Sequence, residues 1–235
     1  MASVFLGIPL SSRHLIMFEY PAATLVNRPI PKSKILERAR PTTRLKDLLT
    51  RQIQQILWYA KLAPESISIP DTPQVPEIQV LHLQLKGTEV HPDLLQLVDK
   101  TIPQPILFII ETSERQIAHS AAHKRPSEAD SSQWVVGARF TSDFVPKEKL
   151  TLLPLPTALD LGRLYTALLA PLLPLAPRRA EALPSLIERC DKHQSLQRKI
   201  ALLTAKVNRE KQFNRRVYLN QELNNLKTEL AELNS

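Results

Sequence analysis

Residues 77–110 read EIQVLHLQLKGTEVHPDLLQLVDKTIPQPILFII, and this stretch sets the fold class. Leu81, Leu83 and Leu85 alternate with His82, Gln84 and Lys86, the two-residue period of a half-buried strand. His91-Pro92-Asp93 opens a short helix with Pro in its first turn, and Leu94, Leu95, Leu97 and Val98 supply the apolar face. Pro103 and Pro105 end it. Ile106 to Ile110 are consecutive apolar residues, the pattern of a strand buried on both faces.

The neighbouring segments extend this pattern. Downstream, Arg115 to Lys124 and Gln133 to Val145 read as strands joined by a polar loop from Pro126 to Ser132. Upstream, Ser66 to Ile69 reads as a short strand. Pro41-Thr42-Thr43 starts an amphipathic helix, because Leu45, Leu48, Leu49, Ile53, Ile56, Leu57 and Ala60 recur at three- and four-residue steps. Trp58 and Tyr59 close that helix, and Pro64 stops it. Helices and strands in this order predict an α/β (α+β) domain with a small mixed sheet over residues 41–150. Residues 1–40 read as an extended segment with a short turn of helix around Ile35 and Leu36, because Pro9, Pro21, Pro29 and Pro31 interrupt any long helix.

Residues 151–184 read as a Pro-rich helical joint. Thr157 and Asp160 have capping-box spacing; Leu161, Leu164, Tyr165, Leu168 and Leu169 form one face; Pro171, Pro174 and Pro177 stiffen the bend. From Ser185 onward there is neither Pro nor Gly, and residues 185–235 predict a long C-terminal coiled-coil helix. Leu196, Ile200, Leu203 and Val207 form one heptad seam, and Leu219, Leu223, Leu226, Leu230 and Leu233 form a second. The two are out of register, with a polar break over Asn208 to Tyr218. Neither stripe can be buried alone, so the helix calls for its own fold, a second copy or another protein as partner.

Composition removes several function classes. The 235 residues include 4 Gly and no phosphate-cradling glycine motif. The single cysteine, Cys190, excludes an internal disulfide and a Cys-rich zinc module. The longest Leu-rich run is broken by three prolines and falls short of the roughly twenty apolar residues of a membrane span. A cytoplasmic protein without membrane association, cofactor or bound metal is the expectation.

Charge is unevenly spread. Residues 1–61 carry ten Lys/Arg against three Asp/Glu, residues 62–177 nine against thirteen, and residues 178–235 twelve against seven. Two basic ends flank an acidic middle, which suits a polyanion or an acidic protein. The densest signal is residues 198–216, where Arg198, Lys199, Lys206, Arg209, Lys211, Arg215 and Arg216 face Glu210 alone, with Phe213 and Tyr218 interleaved. A basic helix with aromatics can track phosphates; the same charges also suit a solvated helix flank. Lys124 and Arg125, in His123-Lys124-Arg125, form a second small basic cluster that could meet phosphate.

Catalytic patterns are thin. Glu77, Lys86, Asp93 and Asp99 are the residue types of a metal-dependent nuclease, but Glu77-Ile78-Gln79 is not Glu-x-Lys. His119 and His123 are four apart, a zinc spacing on a helix but not on the strand this segment predicts. Cys190 and His193 lack any nearby oxyanion-hole loop.

Several phrases in order resemble a known family: Ala23-Thr24-Leu25-Val26-Asn27 before Ile30-Pro31-Lys32; Ile56-Leu57-Trp58-Tyr59-Ala60-Lys61-Leu62 with Pro64; Glu77-Ile78-Gln79-Val80; Ile102-Pro103 with Pro105-Ile106-Leu107-Phe108; His123-Lys124-Arg125; and Glu210-Lys211-Gln212-Phe213-Asn214-Arg215-Arg216-Val217 with Leu219-Asn220. Over nearly the whole chain they resemble the bacterial and archaeal family of domain of unknown function 4391, with His123-Lys124-Arg125 standing where the family has a Tyr-Lys-Arg-like triplet. Such proteins are typically encoded beside helicases and DNA methyltransferases in restriction-like or antiviral clusters. The resemblance therefore implies an accessory subunit in DNA-directed defence, with a helicase or methyltransferase as partner. On this reading residues 198–216 meet DNA phosphates, and the Leu219 to Leu233 seam holds a partner or a second copy. A divergent metal-dependent nuclease and a pure oligomerisation or scaffold protein are the alternatives.

Overall fold

The computed structural model describes residues 16–127, 129–130, 133–178 and 181–234. The first fifteen residues of the predicted N-terminal segment lie outside this range. The chain forms two compact units, one ending at Leu172 and one beginning at Leu173.

The first unit is built on a mixed sheet in the order β2 (Leu25–Pro29), β3 (Ile53–Leu62), β4 (Ile78–Leu85), β5 (Ile106–Glu111), β6 (Gln116–Pro126), β7 (Trp134–Thr141), with β8 (Val145–Pro146) also against β6. All pairs are antiparallel except β4 and β5, which run parallel. Helix α4 (Pro92–Thr101) makes the crossover that a parallel pair requires. A separate parallel pair joins β1 (Ile16–Glu19) to β9 (Thr151–Pro154).

One sheet face carries α1 (Lys32–Ala39), α2 (Thr43–Gln52) and α4, with Leu81, Leu83, Phe108 and Ile110 buried against Leu49, Leu94 and Val98. Each such side chain contributes about 1.5–3 kcal/mol by leaving water. The other face holds Ala60, Val80, Ile109 and Ile117 under Met17, Tyr20 and Leu150. A mixed α/β fold with a mixed sheet is thus present, as the pattern of residues 77–110 predicts.

Four local expectations are corrected. The helix from Thr43 stops at Gln52 rather than running to Ala60, and Ile53–Leu62 is a strand. Its register shifts between Ile53 and Gln55 and again between Trp58 and Ala60. The first bulge puts Ile53 opposite Leu85 and Ile56 opposite Leu83, so two residues three apart share a face and imitate a helical period. Lys32 donates its ammonium to the Ile53 carbonyl, which closes α2 at this point. Residues 25–29 are not merely extended but form β2, which pairs with β3, and the short helical turn expected around Ile35 and Leu36 is present as α1. Pro64–Ile67 is one helical turn, α3, where a strand was expected; Pro64 leads it and the Ser66 hydroxyl accepts the Ala63 N–H at 3.0 Å. The predicted strand from Gln133 to Val145 divides into β7 and β8.

Helix α5 (Leu161–Leu169) starts at Asp160, whose carboxylate accepts the Arg163 N–H at 2.7 Å. Asp160 is therefore the cap itself, not the far member of a capping box with Thr157. Leu161, Leu164, Tyr165, Leu168 and Leu169 are buried as the apolar stripe requires.

The second unit holds α6 (Leu183–Arg209) and α7 (Phe213–Asn234). The polar break between the two seams is a chain reversal at Glu210 to Gln212. Lys192 near the start of α6 pairs with Glu229 near the end of α7 at 2.7 Å, so the helices are antiparallel. Leu203 and Val207 pack with Leu219 and Leu223, flanked by Ile200 and Leu226. The two seams fill each other within one chain. No helix among the described residues is long and apolar enough to cross a membrane.

Candidate functional site

Two regions carry concentrated charge, one in each unit. In the second unit, the turn between α6 and α7 is organised by Glu210. Its carboxylate accepts the Gln212 N–H at 2.9 Å and pairs with Arg215 at 3.3 Å. The acid thus satisfies a free N–H at the start of α7 and holds one neighbouring cation. Arg198, Lys199, Lys206, Arg209, Lys211, Arg215 and Arg216 are all exposed. Phe213 and Tyr218 stand 70% and 68% exposed beside them. Leu202 and Val217 are exposed too. A continuous helix would put Arg209 and Arg216 on one face; the reversal instead places them on two helices, either side of the turn.

The opposite end of the hairpin is tied down by arginines. Arg189 grips Glu181 through both carboxylate oxygens at 2.9 and 2.7 Å and donates to the Leu233 carbonyl at 3.0 Å. Arg178 reaches the Glu232 carbonyl at 3.3 Å. Cations on the last carbonyls of α7 suit the negative end of its dipole. The Arg189 guanidinium draws the Glu181 carboxyl down to about 2. Cys190 is fully buried, and burial pushes its thiol up, away from nucleophile chemistry.

The leucines expected to hold a partner are largely used inside the chain. Leu219 and Leu223 are buried in the hairpin core, Leu226 packs beside them, and Leu230 and Leu233 are half-buried. The seam is spent on α6.

In the first unit, a charge cluster links α4 to β6 and β7. The Lys124 ammonium donates to the carbonyls of Asp99, Ile102 and Gln104 at 3.0, 2.7 and 2.9 Å, and lies 2.9 Å from Asp99 Oδ1. Three of these oxygens belong to the end of α4 and the turn after it, so Lys124 acts as a C-terminal cap from a distant strand. Arg139 of β7 pairs with the other Asp99 oxygen, donates to the Ser120 hydroxyl at 3.1 Å and stacks 5.3 Å from the Phe108 ring centre. Burial pulls the Lys124 ammonium down to about 7, while four oxygen neighbours oppose that pull. Burial likewise lowers Arg139 to about 10. Sequence pattern alone does not reveal this cluster, because its members lie 25 and 40 residues apart.

Lys124 is thereby removed from the phosphate-binding set: its side chain is 0% exposed and has no surface to offer. Arg125, next to it, is exposed and has interactions of its own.

The acids of the nuclease pattern are not gathered. Glu77 pairs with Lys61 at 2.9 Å and accepts from Gln79 at 2.8 Å. Lys86 lies past the far end of β4, about 30 Å along an extended chain at 3.3 Å per residue. Asp93 sits in the first turn of α4 and Asp99 in its last. His119 and His123 both lie on β6, about 13 Å apart at strand rise, beyond the reach of one metal ion. No group of three His, Cys, Asp or Glu residues is placed to hold a metal among the described residues. A third constellation, missed in the sequence, joins His82 to Glu111 at 2.8 Å and Glu111 to Lys147 at 2.9 Å. Parallel pairing of β4 and β5 brings the first two together.

The family model described as "Domain of unknown function (DUF4391)" matches residues 18–230. No curated protein and no solved structure matches the chain. The match spans both units, from β1 to the last turns of α7, and on that extent the chain belongs to the family of the domain of unknown function DUF4391.

Proposed function

We propose that the chain is a non-catalytic accessory subunit of a DNA-directed defence system, and that it contacts nucleic-acid phosphates through the tip of the α6–α7 hairpin. The observation that carries this is the exposure of Lys206, Arg209, Lys211, Arg215 and Arg216 with Phe213 and Tyr218 around one chain reversal, where a single acid, Glu210, is already committed to the turn. Arg198 and Lys199 lie about three turns back along α6. Cations on two helices can straddle a strand backbone, and flanking aromatics offer stacking surfaces. The resemblance to proteins encoded beside helicases and DNA methyltransferases supports a partner of that kind. With the leucine seam filled by α6, that partner would use other surfaces, and Leu202 and Val217 at 75% and 51% exposure are the apolar side chains available near the tip.

The test is the salt dependence of binding to DNA. Phosphate contacts release counterions, so log affinity falls against log salt by about 0.9 per phosphate neutralised on duplex and about 0.7 on single strands. Replacing Arg209, Arg215 and Arg216 by Gln should flatten the slope by about two to three on duplex and weaken all sequences alike. Helical content should hold, because Gln is nearly as good a helix former as Arg. Equal affinity of parent and triple variant at low salt would reduce the tip to a solvated flank.

A further inference from the structure

We infer that the cleft at the carboxyl ends of β4 and β5 binds a small organic anion with an apolar body, held by Arg139. Strands β4, β5 and β7 run in the same direction, since β5 and β7 are each antiparallel to β6. Beyond their ends lies a cleft of about 540 Å³, within the roughly 300–1,000 Å³ of small-molecule sites. Open sheets with parallel strands place ligands at this end, where the chain leaves the strand for the crossover helix. Val90, Leu95, Ile110 and Phe144 are its apolar lining residues, Thr88 and Thr141 carry hydroxyls, and Arg139 is the basic residue of the lining.

Charge selects the ligand. Lys124 and Arg139 share one carboxylate, Asp99. The three carbonyls that accept from the Lys124 nitrogen call for three N–H donors, which only the ammonium provides. The cluster therefore holds one surplus positive charge out of bulk water, a costly arrangement unless a counter-charge joins it. Lys124 is closed off, whereas Arg139 keeps 17% of its side chain exposed and lines the cleft. Asp99, Ser120 and the Phe108 ring fix the guanidinium, so it meets an anion already ordered. Glu89 lies at the exposed rim and forms no ion pair with Arg139 among the described residues. A carboxylate or phosphate on an aromatic or aliphatic body fits this lining; a bare inorganic ion leaves the walls unused.

The full chain should be titrated with phenylacetate, phenyl phosphate, inorganic phosphate and benzyl alcohol, following binding by calorimetry and by amide shifts of residues 88–95 and 139–144. At least one aromatic anion should bind about tenfold or more tightly than both benzyl alcohol and inorganic phosphate, and the stronger of the two names the head group. Arg139→Gln should reduce that anion to the level of the alcohol. Thr88→Trp, at an exposed rim position outside the charge cluster, should block both and keeps the test open if Arg139→Gln does not fold. Equal binding of the aromatic anions and the alcohol, equal binding of phenyl phosphate and inorganic phosphate with no response to phenylacetate, or no binding at all would each overturn the assignment.

Discussion

Lys124 and Asp99 form a fully enclosed ion pair at 2.9 Å, and the same ammonium closes the carboxyl end of the helix that carries its partner. The pair is a strap between α4 and the sheet. Replacing Lys124 by Met leaves Asp99 with Arg139 alone and strips three carbonyls of their donor. A buried carbonyl left without a donor costs about 1–3 kcal/mol, while Asp99 keeps Arg139 as its counter-charge. The unfolding free energy of Lys124→Met from urea titration should fall accordingly, whereas that of Lys149→Met, an exposed lysine, should move by about 0.5 kcal/mol or less.

His119 is buried in β6 with its Nε2 unpartnered among the described residues, and burial lowers it from 6.5 to about 4. Folding therefore favours the neutral ring. The stability this supplies is complete above pH 6.5 and is lost as pH falls toward 4, a loss of roughly 3 kcal/mol. His82 and His123 are also lowered by burial and act in the same direction. Urea unfolding at pH 7 and pH 4.5 should show the decline, and His119→Leu should flatten it.

The hairpin seam makes a prediction about assembly. Leu203 and Val207 are buried by Leu219 and Leu223 of α7. Removing residues 213–235 should uncover them and raise the apparent mass in light scattering. Leu219→Ala within the full chain should cost about 2–5 kcal/mol in the second unit and leave the mass unchanged. A full chain that falls apart into smaller species on Leu219→Ala would place the seam between chains instead.

Phe213 and Tyr218 should be dispensable for folding and important for binding. Both are mostly exposed, so alanine at either position should change stability by about 0.5 kcal/mol or less. If they stack on bases, each should weaken a single-stranded oligonucleotide by about 1–3 kcal/mol while leaving the salt slope alone. Fluorescence anisotropy across a salt series separates these effects from those of the arginine variants.

Residues 77–110 could be read directly because β4 alternates from Leu81 to Leu85, Pro92 and Pro103 bracket α4, and β5 is apolar from Ile106 to Ile110. Residues 53–62 could not, because the register shifts of β3 put Ile53 and Ile56 on one face three residues apart, a helical spacing. The pairing that overrides it comes from β4, more than a dozen residues downstream, and no local window contains it. The two heptad seams and their mismatch were legible, as was the polar break; that the break is a reversal depended on which partner filled the stripe. The basic tip could be read from composition alone. Lys124 was misread for the opposite reason: a lysine between His123 and Arg125 looks like surface, and only the approach of Asp99 shows that it is enclosed.

The strap on α4 also orders the events by which the chain takes shape. Its first cation arrives 25 residues after Asp99 and its second 40 residues after. While the chain is being synthesised, the crossover helix can coil early, but its carboxyl end and its one buried acid wait for strands not yet made. Asp99 is a burden until β6 is in place, and the Ser120–Arg139–Asp99 connection is complete only with β7. Any fragment that ends before Arg139 therefore keeps an unfinished sheet edge and a poorly compensated carboxylate. The first unit should thus commit to its fold late, when the segment that closes it has emerged, and a nascent chain stalled before that point should be the form most exposed to proteases.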